Sequence, residues 1–205
     1  MTEKFDVKTD RLFRPAAGSF EIVDVPPALI LAADGSGNPN TSPRYASVVE
    51  SLFAASYAIK FASKAVGRDL VVPPLEGLWW AEDYSVDFAT RSKDEWLWTV
   101  FIRQPSWLSD VELEDLLVEA AAKKKRPEIT ELRLETLDEG LCVQTLHVGA
   151  YDDEVDVIRR LHTEFLPANG LVERGKHHEI YLSDPRRVAP EKLRTILRQP
   201  VSRTT

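Results

Sequence analysis

Trp96-Leu97-Trp98-Thr99-Val100-Phe101-Ile102-Arg103-Gln104-Pro105 (WLWTVFIRQP, 96–105) ends in a triplet that returns at Arg198-Gln199-Pro200, inside Leu193–Val201 (LRTILRQPV). Both runs are rich in branched and aromatic residues and read as strands. A three-residue match is weak by itself. Its weight comes from position, because each triplet closes the same succession of elements.

Working outward, Val25–Ala33 (VPPALILAA) reads as a buried strand running into the loop Asp34–Pro39. Ser42-Pro43-Arg44 opens a helical pattern, with Val48, Val49, Leu52, Phe53, Ser56, Ile59 and Ala62 at spacings of three and four. Gly67 is its expected stop. Val71–Trp80 (VVPPLEGLWW) reads as the next strand, ahead of Trp96–Arg103. The second half follows the same order. Leu141–Val148 alternates like a strand, and Gly149-Ala150-Tyr151 turns the chain. Asp152–Leu166 is a helix with acids in its first turn and Val155, Ile158, Leu161, His162 and Phe165 on one face; Asn169-Gly170 stops it. His177–Ser183 and Leu193–Val201 form the last strand pair, with a helical turn at Pro190-Glu191. Between the halves, Ser109-Asp110 caps a linking helix with Glu112 near N3. It runs through Leu113, Leu116, Leu117 and Ala120 and ends at the cations Lys123–Arg126.

The expected fold is therefore α/β (α+β). Two strand-helix-strand-strand units are related by a pseudo-twofold axis, with a ligand cleft between the halves. The corresponding boundaries are a leader over 1–20 and one domain over 21–201. Within it lie repeat one at 21–105, the linking helix at 109–126 and repeat two at 139–201.

Composition bounds the function. The 205 residues are 43% hydrophobic and 29% charged, as in ordinary globular chains, which excludes a disordered, collagenous or coiled-coil protein. A net charge of −7 argues against a dedicated nucleic-acid surface, and the short basic run Lys123–Arg126 reads as a solvated helix end. Cys142 is the single cysteine, so no internal disulfide and no cysteine zinc cluster is expected. It sits in an apolar strand pattern and reads as a small buried hydrophobe rather than a nucleophile. No stretch reaches the length of a membrane span and the amino terminus has no signal-peptide core, so a cytoplasmic location is the expectation. Phosphate-binding glycine loops, dinucleotide fingerprints and nucleophile elbows are absent.

The segment that carries chemistry is His177-His178-Glu179-Ile180-Tyr181-Leu182-Ser183-Asp184. Strand alternation puts Ile180 and Leu182 on one face and Glu179 and Tyr181 on the other, with the latter two roughly 7 Å apart along the strand. In a cleft they would be a carboxylate and a phenol held together, fit to act as a base or as counter-ion to a cation. Outside a cleft, Glu179 would be an ordinary surface acid. Aligning the halves through Asp83 and Asp184 sets Trp80 against Tyr181 and Leu78 against Glu179, which would give the same face an aromatic and apolar wall. Trp79 would then face away. Trp96 and Trp98 share a face, and Tyr57 on the first helix is either core or cleft wall. These residues (Trp80, Trp98, Tyr57, Trp96 and Leu78) are the candidate substrate contacts, because indole and phenol rings bind flat aromatic or cationic ligands. His178 is a candidate hydrogen-bonding partner beside Glu179. The adjacent His177 and His178 point oppositely, so no metal site is expected.

The run from Gly175 to Arg187 (GKHHEIYLSDPRR), followed by Pro190–Thr195 (PEKLRT), resembles the carboxyl-terminal signature of GyrI-like small-molecule-binding proteins. Leu75-Glu76-Gly77-Leu78-Trp79-Trp80 is similar to the stand-alone branch of that family. The resemblance covers roughly residues 20–201. It implies a duplicated strand-helix-strand-strand fold whose cleft takes amphipathic, often cationic or aromatic compounds, with a recurrent cleft glutamate matched here by Glu179. It further implies hydrolysis of cyclopropane rings in DNA-alkylating natural products. The mechanism expected on that basis has Glu179 as general base, Tyr181 as its partner and no cofactor. The alternatives it implies are drug sequestration without turnover and, lowest ranked, a gyrase-inhibitor-like interaction. A small aromatic or cationic molecule is the expected partner, without nucleic acid or membrane; a homodimer stays open.

Overall fold

A computed structural model describes residues 3–82, 92–108 and 110–204. In chain order the strands are β1 (Glu3–Phe5), β2 (Glu21–Val25), β3 (Ala28–Ser36), β4 (Arg68–Leu70), β5 (Glu76–Trp80), β6 (Leu97–Arg103), β7 (Arg133–Leu137), β8 (Gly140–Val148), β9 (Leu171–Glu173), β10 (His177–Tyr181) and β11 (Arg194–Arg203). The main helices are α1 (Pro43–Ala65), α2 (Asp110–Lys124) and α3 (Glu154–Arg160). The α3 backbone continues through a π turn, Leu161–Phe165, into Leu166–Ala168. Pro167, which has no N–H to give, occupies that last stretch, where the regular ladder is lost.

The fold is α+β, as expected. One antiparallel sheet runs in the order β2-β8-β11-β10-β5-β6-β3-β7, with β9 alongside β11. The units β3-α1-β5-β6 and β8-α3-β10-β11 occupy mirrored positions about the β5–β10 pair, as a duplicated unit requires. The helix opened by Ser42 is α1, and the Ser42 side chain accepts from the Tyr45 N–H. Gly67 lies just beyond its end with φ of +80°, a conformation that glycine adopts without strain. The expected strand 71–80 is shorter, because Pro73 and Pro74 cannot donate to a ladder, and only Glu76–Trp80 pairs in the main sheet. The Ser109 cap and the Asp83 anchor of the repeat alignment lie outside the described residues. Among the described residues, no helix is long and apolar enough to cross a membrane.

Residues 3–20 of the expected leader pack onto the domain. Strand β1 pairs in parallel with β4, and Val7, Leu12 and Phe13 are buried in a core with Val23, Val25, Cys142, Ile180 and Ile196. Burial pushes the Cys142 thiol up to about 12, with the Glu139 charge adding to the effect, so it is inert as a nucleophile.

The two ends of the sheet meet at a corner. Val25 pairs with Gly140 and Ala28 with Leu137, so the register carries on across Pro26-Pro27 and Asp138-Glu139. A two-residue link spans at most about 11 Å at 3.8 Å per Cα step. The sheet therefore curls and acquires an inner face, opposite the face that carries α1. Glu76, Arg103, Gln144, His178 and Arg198 all project inward, and Glu139 reaches in from the corner. His178 Nε2 lies 3.0 Å from Glu76 and Nδ1 2.9 Å from Glu139. Arg103 Nε donates to Glu76 at 2.9 Å, while Arg198 donates to Gln144 and to the Leu12 carbonyl. Both arginines of the repeated triplet thus serve one network, in which every side chain is at most 7% exposed.

Burial alone would raise the Glu139 carboxyl, but His178 and the two arginines outweigh it and hold it at about 2. Burial likewise disfavours a charged His178, but Glu139 and Glu76 outweigh it and raise its pKa above the ordinary 6.5. The Glu139 contribution to stability is present above pH 4.5 and lost as pH falls towards about 2; that of His178 is complete below 6.5 and lost as pH rises through its raised value. Thermal unfolding is expected to show maximal stability between those limits. Glu139→Ala, which strands buried cations, is expected to cost about 3–5 kcal/mol in urea unfolding; a loss below 1 kcal/mol would contradict this role for the network.

Candidate functional site

On the face opposite the network, α1 covers β3 and β6 through Val48, Leu52, Ala55 and Ile59 packed on Leu31, Ala33, Val100 and Ile102. The α3 region packs over the other half through Leu161 and Leu166 against Val143, Leu171 and Val201. Between these two packed helices, β5 and β10 floor a cleft of about 1380 Å³.

Ladder register decides which side chains reach it. Glu179 pairs with Gly77, His177 with Trp79 and His178 with Leu78. Glu179, Tyr181, His177 and Trp79 therefore share the cleft side, and His178, Leu78 and Trp80 share the other. This corrects three expected contacts. Trp80 and Leu78 pack instead near Ile30, Ala32 and Phe101, and the Lys176 ammonium lies 3.3 Å from the centre of the Trp80 ring. His178 belongs to the buried network. For Trp80 and Leu78 the cause is a one-residue alignment error: with a side-chain period of two, an odd offset between the repeats sends them to the wrong face. His178 faces away because it adjoins Glu179 on the same strand.

The remaining expected residues fall as follows. The Glu179 side chain is 10% exposed. The Trp79 indole N–H donates to the Tyr181 hydroxyl at 3.0 Å, and that hydroxyl donates to Glu179 Oε2 at 2.7 Å. Burial, reinforced by the Glu179 charge, pushes the Tyr181 phenol well above its usual range, so it stays a donor. His177 Nε2 lies 3.6 Å from Glu179 Oε1. Trp96 lines the cleft edge-on to Trp79, at 5.4 Å. Trp98 is fully buried beneath Tyr45, at 5.2 Å and 88°, and so supports a wall rather than forming one. Tyr57 is half exposed at the outer end of the cleft.

Sequence reading did not single out Trp79, Tyr45, Tyr151 or Glu154 as site residues, yet all four line the cleft. Tyr45 stands 6.0 Å from Trp79, and Tyr151 stacks edge-on with Tyr181 at 5.7 Å. Burial raises Tyr151 to about 12, helped by Glu154 and Glu179, and drives Tyr45 upward as well. Counting alternation from Glu179 across the true pairing would have found Trp79. Tyr45, Tyr151 and Glu154 lie at helix starts, where periodicity says nothing about a neighbouring cleft. The result sets the carboxyls of Glu179 and Glu154 and the phenols of Tyr45, Tyr151 and Tyr181 beside indole rings, an arrangement able to hold a flat or cationic molecule and to order a water beside it. Among the described residues, no group of three or more His, Cys, Asp or Glu side chains is arranged to hold a metal ion.

Gly77 makes room for this arrangement, since a Cβ there would stand 2.8 Å from Trp79 Nε1. Gly77→Ala is expected to displace the indole and break its bond to Tyr181. Fluorescence titration with a flat aromatic probe should show about tenfold weaker binding, and urea unfolding a loss of about 1–3 kcal/mol. Unchanged affinity would mean that Trp79 does not shape the cleft.

Comparison with known proteins agrees with this architecture. A crystal structure of an uncharacterized conserved protein from Listeria innocua is 38% identical, with a TM-score of 0.87 over 98% of this chain and 100% of that one. Two crystal structures of hydrolases from Listeria innocua are 36% and 37% identical, with TM-scores of 0.83 and 0.86 and the same coverage. The EcmrR C-terminal domain, 10% identical over 91% of this chain and 98% of that one, has a TM-score of 0.57 and shares the fold. Curated proteins gave no match. Residues 19–202 match the model of the GyrI-like small molecule binding domain, and with the duplicated fold and enclosed cleft already described, the chain belongs to that family.

Proposed function

We propose that the protein hydrolyses electrophilic cyclopropane rings in flat aromatic compounds of the DNA-alkylating type, a detoxifying activity, with Glu179 as general base. The observation that carries this reading is the directed chain Trp79–Tyr181–Glu179. It fixes Oε2, while Oε1, 3.6 Å from His177 Nε2, belongs to a carboxyl that lines a cleft walled by aromatic rings. Hydrolase relatives at 36–37% identity support the reaction class.

In such a substrate the cyclopropane is conjugated to a dienone. Water adds to a ring carbon, a ring C–C bond breaks, and its electron pair moves through the conjugated system onto the dienone oxygen, which becomes a phenol. Glu179 takes one proton from the attacking water, an effect worth typically 10² to 10⁴-fold. Tyr181 holds the carboxylate in place, and the rings exclude bulk water. The chemistry is carried by protein side chains and calls for no cofactor.

A second reading rests on the same aromatic walls. A carboxylate among π-faces also suits a cation, and the protein would then sequester amphipathic drugs without changing them. Product analysis separates the two. Incubation with a cyclopropane-bearing alkylator is expected to yield the ring-opened phenol with multiple turnovers. Glu179→Gln is expected to lower the rate at least 10²-fold, and Tyr181→Phe by a smaller factor. Stoichiometric retention of intact compound would overturn hydrolysis and favour sequestration, and an unchanged rate in Glu179→Gln would remove its role as base.

A further inference from the structure

We propose that Glu154 is a second catalytic carboxyl in the cleft, the acid that delivers a proton to the substrate oxygen on which charge develops. This rests on the hydrolytic reading above and assigns the half of the reaction that Glu179 leaves unserved.

Glu154 begins α3 and lines the same cleft as Glu179, yet it is only 3% exposed. Its Oε1 finds no hydrogen-bond partner among the described residues, and neither does the Thr195 hydroxyl. Buried structural carboxylates are held by cations or N–H donors, as Glu76 and Glu139 are on the other face of the same sheet. Thr195 and Lys93 lie near Glu154, but its Oε1 has no such anchor among the described residues and is available to a ligand.

The groups around it favour the protonated form. Burial is the largest cause, the Glu179 charge adds to it, and together they raise Glu154 well above the carboxylate range; Thr195 and Lys93 pull the other way without matching them. Asp152 also raises it, and the phenols of Tyr151 and Tyr181 face it from the turn before α3 and from β10. His147, on β8 beside Thr195, is turned to the Ala150 carbonyl. The cleft thus holds two carboxyl groups in different surroundings, one fixed by a phenol and one beside Thr195 with its Oε1 unpartnered among the described residues. Paired groups with divergent environments are how a site divides acid from base work.

The proton balance closes. Water loses one proton to Glu179 as its oxygen bonds to the ring carbon. The breaking C–C bond sends its electron pair to the dienone oxygen, which takes the Glu154 proton and leaves as a neutral phenol. The proton on Glu179 then returns to Glu154 directly or through solvent, restoring both groups.

The test is the pH dependence of single-turnover hydrolysis by the native protein, Glu154→Gln and Glu179→Gln, with binding of the ring-opened product measured for each. The native rate is expected to fall as pH rises through the Glu154 pKa. Glu154→Gln is expected to be about 10²-fold slower and to lose that alkaline fall. It should still bind product within about threefold, because the amide is close in shape. If that variant does not fold, Glu154→Asp replaces it and is expected to keep an alkaline fall at a reduced rate. Native turnover with an unchanged rate and profile in Glu154→Gln, or an Asp variant without the fall, overturns the acid role while hydrolysis stands. Absence of turnover by the native protein removes the hydrolytic reading and the acid role with it.

Discussion

The antiparallel pairing of β5 with β10, in the register that sets Glu179 against Gly77, is the constraint on which the rest of the molecule depends. A strand side chain has two choices of face, and β10 uses both for charged chemistry. His178 is locked inward between Glu76 and Glu139, while its neighbour Glu179 opens into the cleft. A slip of one residue would exchange them. It would strand a carboxyl among buried acids and leave the arginines short of a partner, an arrangement too costly to persist. The network therefore reports on register as much as it contributes attraction.

That network also explains the curled sheet. Glu139 sits in the two-residue link between β7 and β8, beside the Pro26-Pro27 link, so the corner that closes the sheet also supplies its central anion. Arg103 and Arg198 approach from the last strand of each repeat, and the amino-terminal segment covers them: the Leu12 carbonyl accepts from Arg198 and the Phe13 ring lies 5.3 Å from the Arg103 guanidinium. With one face closed in this way, the other can carry an open cleft on a fixed floor. Pre-organisation of that floor matters for a ligand held by ring faces, because each ordered ring is one fewer side chain to immobilise on binding.

The cleft itself combines features that are unfavourable to folding and useful for chemistry. Two acids share a poorly solvated space, one supported by a phenol and an indole and the other with an oxygen left bare. Stability alone would replace them with apolar residues. Their presence among tyrosines and tryptophans is the ground for the proposed step from small-molecule binding, shown for the family, to a reaction that moves protons.

Periodicity by itself revealed the helix over α1, the strands β6, β8, β10 and β11, and the duplication signalled by Arg103-Gln104-Pro105 and Arg198-Gln199-Pro200, because these depend on local spacing. It also put Glu179 and Tyr181 on one face. Tertiary structure decided everything that depends on which strands are neighbours. The sequence contains no measure of cross-strand register, so Trp79 and Trp80 exchanged faces. Alternation along β10 already set His178 opposite Glu179, but only the packed molecule supplied its partners Glu76 and Glu139. The amino-terminal segment has no period to read, so its burial became visible only in the packed molecule. Glu154 looked like any acid at a helix start. Its burial follows from the start of α3 lying beside Thr195 of β11 and Glu179 of β10, a long-range placement that no run of adjacent residues encodes.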